Sequence, residues 1–173
     1  VPHLSAFTVK RVRKDWNAMK VNEIMTANVA TVSQNVTLKE VAELMVERGV
    51  AGIPVTNAEG RVLGVVSEAD IIVKVAGRPE SAGIIGSILA PKQLDERRLA
   101  ATTAGEAMTA PAVTIDAEQS VGEAARLMVE RAVNRLPVLA DGKLVGILSR
   151  ADLVRAFVRP DGEVLEELRR EVA

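Results

Sequence analysis

Serine and aspartate recur three residues apart in "GVVSEAD" (64–70) and "GILSRAD" (146–152), each time where an apolar run gives way to polar residues. Such a junction reads as a buried strand entering a helix. The first turn of a helix exposes unpaired backbone N–H groups, and the helix dipole adds partial positive charge, so an anion is favoured there. Ser67 and Ser149 can offer a hydroxyl to such an anion. Asp70 and Asp152 can accept hydrogen bonds from two adjacent hydroxyls of a ligand. Gly64 and Gly146 leave room for a ligand, or for an opposing sheet, to come close. Ser-x-x-Asp is also a capping box, which needs no ligand at all. One detail points beyond capping. Two other capping boxes, Thr37/Glu40 and Ser120/Glu123, use Glu, whereas both of these use the shorter Asp, a poorer reach back to the cap. Capping and binding are compatible in one residue.

The composition narrows the chemistry further. The chain has 173 residues, 48% of them hydrophobic, enough for a packed core. Aromatics make up 2%, namely Phe7, Trp16 and Phe157, so a pocket must be walled by aliphatic side chains and backbone. The net charge of −1 gives no global field for nucleic acid or an anionic membrane. No apolar stretch approaches the roughly 18 residues of a membrane span. Cysteine is absent, which excludes disulfides, thiolate metal sites and thiol catalysis. With no secretory pattern at the start, a cytoplasmic location is expected. His3, in the leading segment, is the single histidine, so no base is evident to activate a hydroxyl and no metal-ligand cluster stands out. No catalytic residue is assigned. The basic stretch "KRVRKDW" (10–16) reads as a solvated arm or dimer contact, with Trp16 packing on the body of the protein.

The elements that position the two Ser–Asp pairs come as a duplication. Met25 aligns with Met108, Pro54 with Pro137 and Asp70 with Asp152; one residue is lost where "TNAEGR" becomes "LADGK". Each copy reads as strand, helix, strand, strand, helix. Thr31-Val32 and Thr114-Ile115 are short extended segments. Thr37 and Ser120 cap helices whose apolar residues recur at helical spacing, with Met45 and Met128 on the buried faces. Gly49 ends the first helix in the left-handed conformation. "GIPV" and "RLPV" start strands, Gly60 and Gly142 sit in hairpin turns, and "VLGVV" and "LVGIL" are buried strands. Final helices follow over about 68–76 and 150–158. A sheet this small is marginal alone, so the copies are expected to pack sheet against sheet as one α+β unit with pseudo-twofold symmetry. The expected boundaries are a basic leading segment (1–20), repeat one (21–76), a linker (77–103) with a short helical turn in "ESAGIIGSILA", repeat two (104–158) and a helical tail (159–173).

The repeated "IMT…IPV…GVVSEAD" and "AMT…LPV…GILSRAD" strongly resemble a tandem cystathionine-β-synthase (CBS) domain pair, a Bateman module, over about residues 21–158. The tail "VLEELRREV" looks like the opening of the small BON domain that follows some such pairs; a surface helix is the alternative. The resemblance implies a βαββα fold per copy and two clefts that bind adenosine-containing ligands: AMP, ADP, ATP, S-adenosylmethionine or a dinucleotide. It implies a homodimer and regulation of a partner enzyme, channel or transporter. On that footing Ser67 and Ser149 face phosphate, and Asp70 and Asp152 hold the ribose. The base lies between Val32, Ile53, Ile115 and Leu136, beside Pro54 and Pro137, and its edge is read by the strands of Thr31 and Thr114. Copy two carries Asn134-Arg135 and Arg150 where copy one has Ala51-Gly52 and Glu68, so the Asp152 cleft is expected to hold the phosphorylated ligand more tightly. Arg135 can also reach across to serve the Asp70 cleft. Each Arg could equally be a solvated surface cation. The alternative to a sensor is a structural or partner-docking module without nucleotide.

Overall fold

The computed structural model describes residues 16–76 and 101–158. Local chemistry sets most element boundaries. Helix α1 (Leu38–Arg48) opens on a reciprocal cap: Thr37 Oγ1 accepts from the Glu40 N–H at 3.3 Å, and the Glu40 carboxylate accepts from the Thr37 N–H at 2.9 Å. Leu38, Val41 and Met45 form its buried face, and Gly49, at φ 62°, closes it in the left-handed conformation. After it, β2 (Gly52–Thr56) pairs in parallel with β1 (Val32–Ser33) and antiparallel with β3 (Val62–Ser67). Asn57 shapes the hairpin between β2 and β3, its side-chain oxygen accepting from the N–H groups of Glu59 and Arg61. Helix α2 (Glu68–Ala76) follows β3 directly.

The second copy repeats this order. β4 (Ile115–Asp116), α4 (Val121–Glu130, capped by Ser120 and Glu123), β5 (Arg135–Ala140), β6 (Lys143–Ser149) and α5 (Arg150–Val158) form an equivalent three-stranded sheet with its helices. Asp141 and Gly142, both at positive φ, make the shorter two-residue hairpin. The fold is thus α+β, two copies of one plan.

The copies exchange their leading segments. A short 3-10 turn, Val21–Glu23, precedes the first copy in sequence but packs on the second. The Val21 N–H donates to Gln119 O, the Asn22 N–H to Ala117 O, and Thr26 pairs with Ile147 as an antiparallel bridge. In return, α3 (Ala104–Ala107) and the residues around it cover the first copy. The Leu38 N–H donates to Thr102 O, the Ala104 N–H to Val36 O, and Thr109 bridges Val65. Each of the two hydrophobic cores is therefore mixed. One holds Val21 with Ile115, Val121, Met128, Leu136 and Leu148; the other holds Ala101, Ala104 and Ala107 with Val41, Ile53 and Val66. Trp16 joins the second copy, its ring meeting Phe157 edge to face at 6.1 Å. Residues 102–103, expected as linker, and 104–107, expected at the start of repeat two, belong to this interlock; the "ESAGIIGSILA" turn, the "KRVRKD" arm and the tail lie outside the described residues.

Strand alternation gives each sheet two distinct faces. Ile53, Val55 and Val66 point into the first core. Gly52, Pro54, Val65 and Ser67, paired as Gly52 with Ser67 and Pro54 with Val65, share the other face. In the second sheet Arg135, Pro137, Ile147 and Ser149 hold the equivalent places. The two faces meet at Gly52 and Arg135: a Cβ on Gly52 would lie 1.4 Å from the Arg135 guanidinium. Gly64 and Gly146, on the core-facing sides, make room for neither ligand nor opposite sheet. Their missing Cβ atoms admit the Met108 and Met25 thioethers of the exchanged segments, at 2.6 and 2.3 Å from where those Cβ atoms would be.

Candidate functional site in the cleft between the copies

Both Ser–Asp pairs sit where a strand runs into its helix, and both carboxylates are buried, Asp70 at 8% and Asp152 at 6% exposure. Each carboxylate caps. Asp70 Oδ2 accepts from the Ser67 N–H and hydroxyl, both at 2.8 Å; Asp152 Oδ2 accepts from the Ser149 N–H and hydroxyl, both at 2.7 Å. The expectation that aspartate is a poorer reach back to the cap is thereby corrected: these N–H bonds, at 2.8 and 2.7 Å, are no longer than those of the glutamate boxes, at 2.9 and 3.0 Å. One chemical consequence follows. Each serine hydroxyl already donates its proton to its own aspartate, so it is not a ready donor to a phosphate.

The two sites then diverge. Asp152 Oδ1 pairs with Arg155 of the same helix, so both of its oxygens are engaged. Copy one has Val73 at the place equivalent to Arg155. Arg150 is exposed on the surface at the start of α5. Arg135 does not serve the Asp152 cleft. It crosses over Gly52 to the first copy, where Glu68 and Asp70 favour its positive charge. Burial works against that charge and lowers its pKa, the carboxylates only partly offsetting it. Its Nη1 atom is buried and has no hydrogen-bond partner. Of the residues behind the expected advantage of the Asp152 cleft, Arg135 thus lies on the side of the first copy, and Arg150 stays exposed at the start of α5.

A cavity of about 240 Å³ opens beside this guanidinium, lined by Val65 and Ser67 of copy one, Thr109, Ala112 and Val113 of the exchanged segment, and the Arg131–Arg135 turn of copy two. Asn134 is on its wall as expected. The aliphatic set expected around a base is elsewhere. Ile53 and Leu136 are fully buried in the two cores, with Val32 and Ile115 beside them. Pro54 and Pro137 are also fully buried. These residues sit on central or core-facing strand positions, with Val32 at 8% and Ile115 at 3% exposure, and none lines this cavity. Thr31 and Thr114 immediately precede β1 and β4; neither lines this cavity, although Val113, next to Thr114, does. The wall contributed by Thr109–Val113 was invisible in the sequence because it comes from the exchange.

Two mixed α/β copies interlocked around a shared cleft define a paired, duplicated domain. The chain belongs to the CBS domain family, whose model matches residues 21–77 and 104–159. It is 32% identical over 151 residues to the chloroplastic CBS domain-containing protein CBSX2 of Arabidopsis thaliana, covering 80% of this chain and 63% of that protein. The crystal structure of CBSX2 in complex with AMP superposes with a TM-score of 0.63 at 28% identity, covering 82% of this chain and 97% of that one. Hypoxic response protein 1 of Mycobacterium tuberculosis is 30% identical over 133 residues, 77% of this chain and 81% of that protein. Its structure with two coordinated zinc ions gives a TM-score of 0.59 at 28% identity, covering 79% and 98% of the two chains. Among the described residues here, no group of three or more His, Cys, Asp or Glu is placed to hold a metal ion, and no helix is long and apolar enough to cross a membrane.

Proposed function

We propose that this chain is a regulatory ligand-binding module that takes an adenosine-containing ligand (AMP, ADP, ATP or S-adenosylmethionine) in clefts between its two copies, and that it is not an enzyme. The observation that carries this reading is the burial of the Ser67–Asp70 and Ser149–Asp152 pairs at strand-to-helix junctions, with a cavity opening beside the first. The AMP complex of CBSX2, on the same fold, supports the choice of ligand class. A ligand that touches both copies favours one relative arrangement of them, and differential affinity for that arrangement is what a partner protein would sense.

A homodimer fits the same picture. Val46 and Val129 hold equivalent places on α1 and α4 and are 84% and 76% exposed; Ile72 and Val154 do so on α2 and α5, at 63% and 62%. Equivalent apolar positions left bare on both copies make a nearly symmetric surface suited to a second copy of the chain.

Thermal melts of nucleotide-free protein with AMP, ADP, ATP, S-adenosylmethionine and NAD test the proposal. A binding ligand adds about 2.7 kcal/mol of stability at a hundredfold excess over its Kd. A raised Tm with at least one of these ligands is expected. No shift with any of them would overturn the sensor reading in favour of a docking module.

A further inference from the structure

We infer that two chains associate head to tail, the helical face of copy one in one chain docking on the helical face of copy two in the other. The inference rests on the homodimer reading above and deepens it by naming which face meets which.

Between α1 and α2 an open groove of about 680 Å³ is lined by Met45, Val46, Val50, Ile71, Ile72 and Glu68. Val46 and Ile72 stand bare on its walls, and Val129 and Val154 stand bare at the equivalent places on α4 and α5. Large aliphatic side chains left bare in equivalent pairs favour burial against a partner. They do not select how two chains pair, because both copies offer the same kind of residue.

The charges do select. One turn ahead of each bare residue, and so next to it on the helix, stands an exposed ionised side chain. In copy one Glu43 precedes Val46 by three residues and Glu68 precedes Ile72 by four. In copy two the same places hold Arg126 ahead of Val129 and Arg150 ahead of Val154. Both signs are inverted. On these helices Glu40, Glu47 and Asp70 keep their sign in Glu123, Glu130 and Asp152, so the inversion falls only beside the bare residues.

If copy one met copy one, Glu43 and Glu68 would be confined with their own duplicates, and Arg126 and Arg150 with theirs. Like charges brought together at an interface oppose association. If copy one meets copy two, each glutamate enters an interface that supplies arginine, the cation best suited to a carboxylate. A twofold axis between the chains then generates the second contact from the first. Within one chain these side chains are only weakly held. Glu43 pairs with Lys39 at 3.8 Å, both exposed, which contributes little. Glu68 favours the charge of Arg135 but is itself exposed. Solvation accounts for each charge singly and not for inversion at both places.

The chain has no cysteine, so Val46→Cys and Val129→Cys report orientation on a silent background. The two variants are oxidised separately and mixed, and the products are resolved on non-reducing gels. Head-to-tail docking predicts a cross-linked dimer in the mixture and little in either variant alone. Val46→Cys linking to itself as readily as to Val129→Cys would overturn the inference and leave the homodimer intact. Charge reversal, followed by sedimentation velocity, decides even if no cysteine pair closes. Glu43→Arg with Glu68→Arg, and Arg126→Glu with Arg150→Glu, should each weaken the dimer by about tenfold or more, and all four changes together should return it to within about threefold of wild type. In a like-to-like dimer each double reversal merely exchanges one repulsion for another. Double variants as tight as wild type, or a fourfold variant as weak as the doubles, would therefore overturn the inference. A wild type that is monomeric at every concentration removes the homodimer reading itself and leaves the groove to a different protein.

Discussion

Arg135 and Gly52 occupy equivalent positions in the two copies, and the guanidinium of one fills the space that a side chain on the other would need. Only one of the two positions can carry a side chain of this length. The duplication is therefore asymmetric at the point where its halves touch, and the cation it places there lies beside Glu68 and Asp70 of the copy that did not supply it.

The exchanged segments should matter as much as the cores they enter. Val21→Ala, separated by six elements in sequence from the first strand of the core it fills, is expected to lower stability by about 2 kcal/mol, since Val21 is fully buried. Lys39→Ala, which breaks an exposed 3.8 Å pair with Glu43, should cost less than about 0.5 kcal/mol. Urea unfolding midpoints separate the two; equal effects would mean that the leading segment docks only loosely.

The aspartates should also act without ligand. Asp152→Ala strips the acceptor from the Ser149 N–H and hydroxyl and leaves Arg155 without its partner. A loss of about 1–2 kcal/mol is expected in nucleotide-free protein, in line with other lost caps. Chemical denaturation measures it. An unchanged midpoint would make the carboxylate a binding group only.

This cap shows where sequence reasoning held and where it stopped. Thr37, Ser120, Gly49 and the two hairpins were legible because each acts on neighbours within four residues. The strand-to-helix placement of Ser67, Asp70, Ser149 and Asp152 was legible for the same reason. The interlock was not. Val21 sits in a three-residue turn, and Ala101, Ala104 and Ala107 lie in a stretch too short to show a period. Their destinations depend on how the two copies meet. The aliphatic residues expected around a base were chosen for type, but burial on a strand is decided by parity, which sent Ile53 and Leu136 inward. The Gly52/Arg135 mismatch was visible, and so was the option that the arginine reaches across to the first copy; which way it turns was not, because that depends on how the two sheets meet.

Acid should weaken the protein through its glutamate caps. Glu40 is held below the ordinary value of 4.5 chiefly by the Thr37 hydroxyl and then its N–H; Glu106 by the N–H groups of Thr102 and Thr103; Glu123 by the Ser120 N–H and then its hydroxyl. A carboxylate depressed in the folded state adds stability that is present above the unfolded value and lost as pH falls through the folded one. Tm should therefore drop more steeply below pH 4.5 in the wild type than in a Glu40→Gln, Glu106→Gln, Glu123→Gln variant. Parallel curves would assign acid sensitivity to other groups.

Self-association should run through the bare helix faces. Val46→Lys with Val129→Lys is expected to weaken a dimer by about tenfold or more while leaving the monomer's Tm nearly unchanged, because both side chains are exposed. Sedimentation velocity across a dilution series measures this. A wild type that is monomeric at all concentrations would remove the homodimer from the proposal.

The exchange of leading segments has a consequence for how this protein can be divided. A cut between residues 77 and 100 yields two fragments, each bearing the plug for its counterpart and a gap of its own. Neither is a miniature of the whole, and mixing them should restore the fold by complementation where either alone stays open. The chain behaves less like two beads on a string than like a clasp whose hook and eye were made on opposite sides.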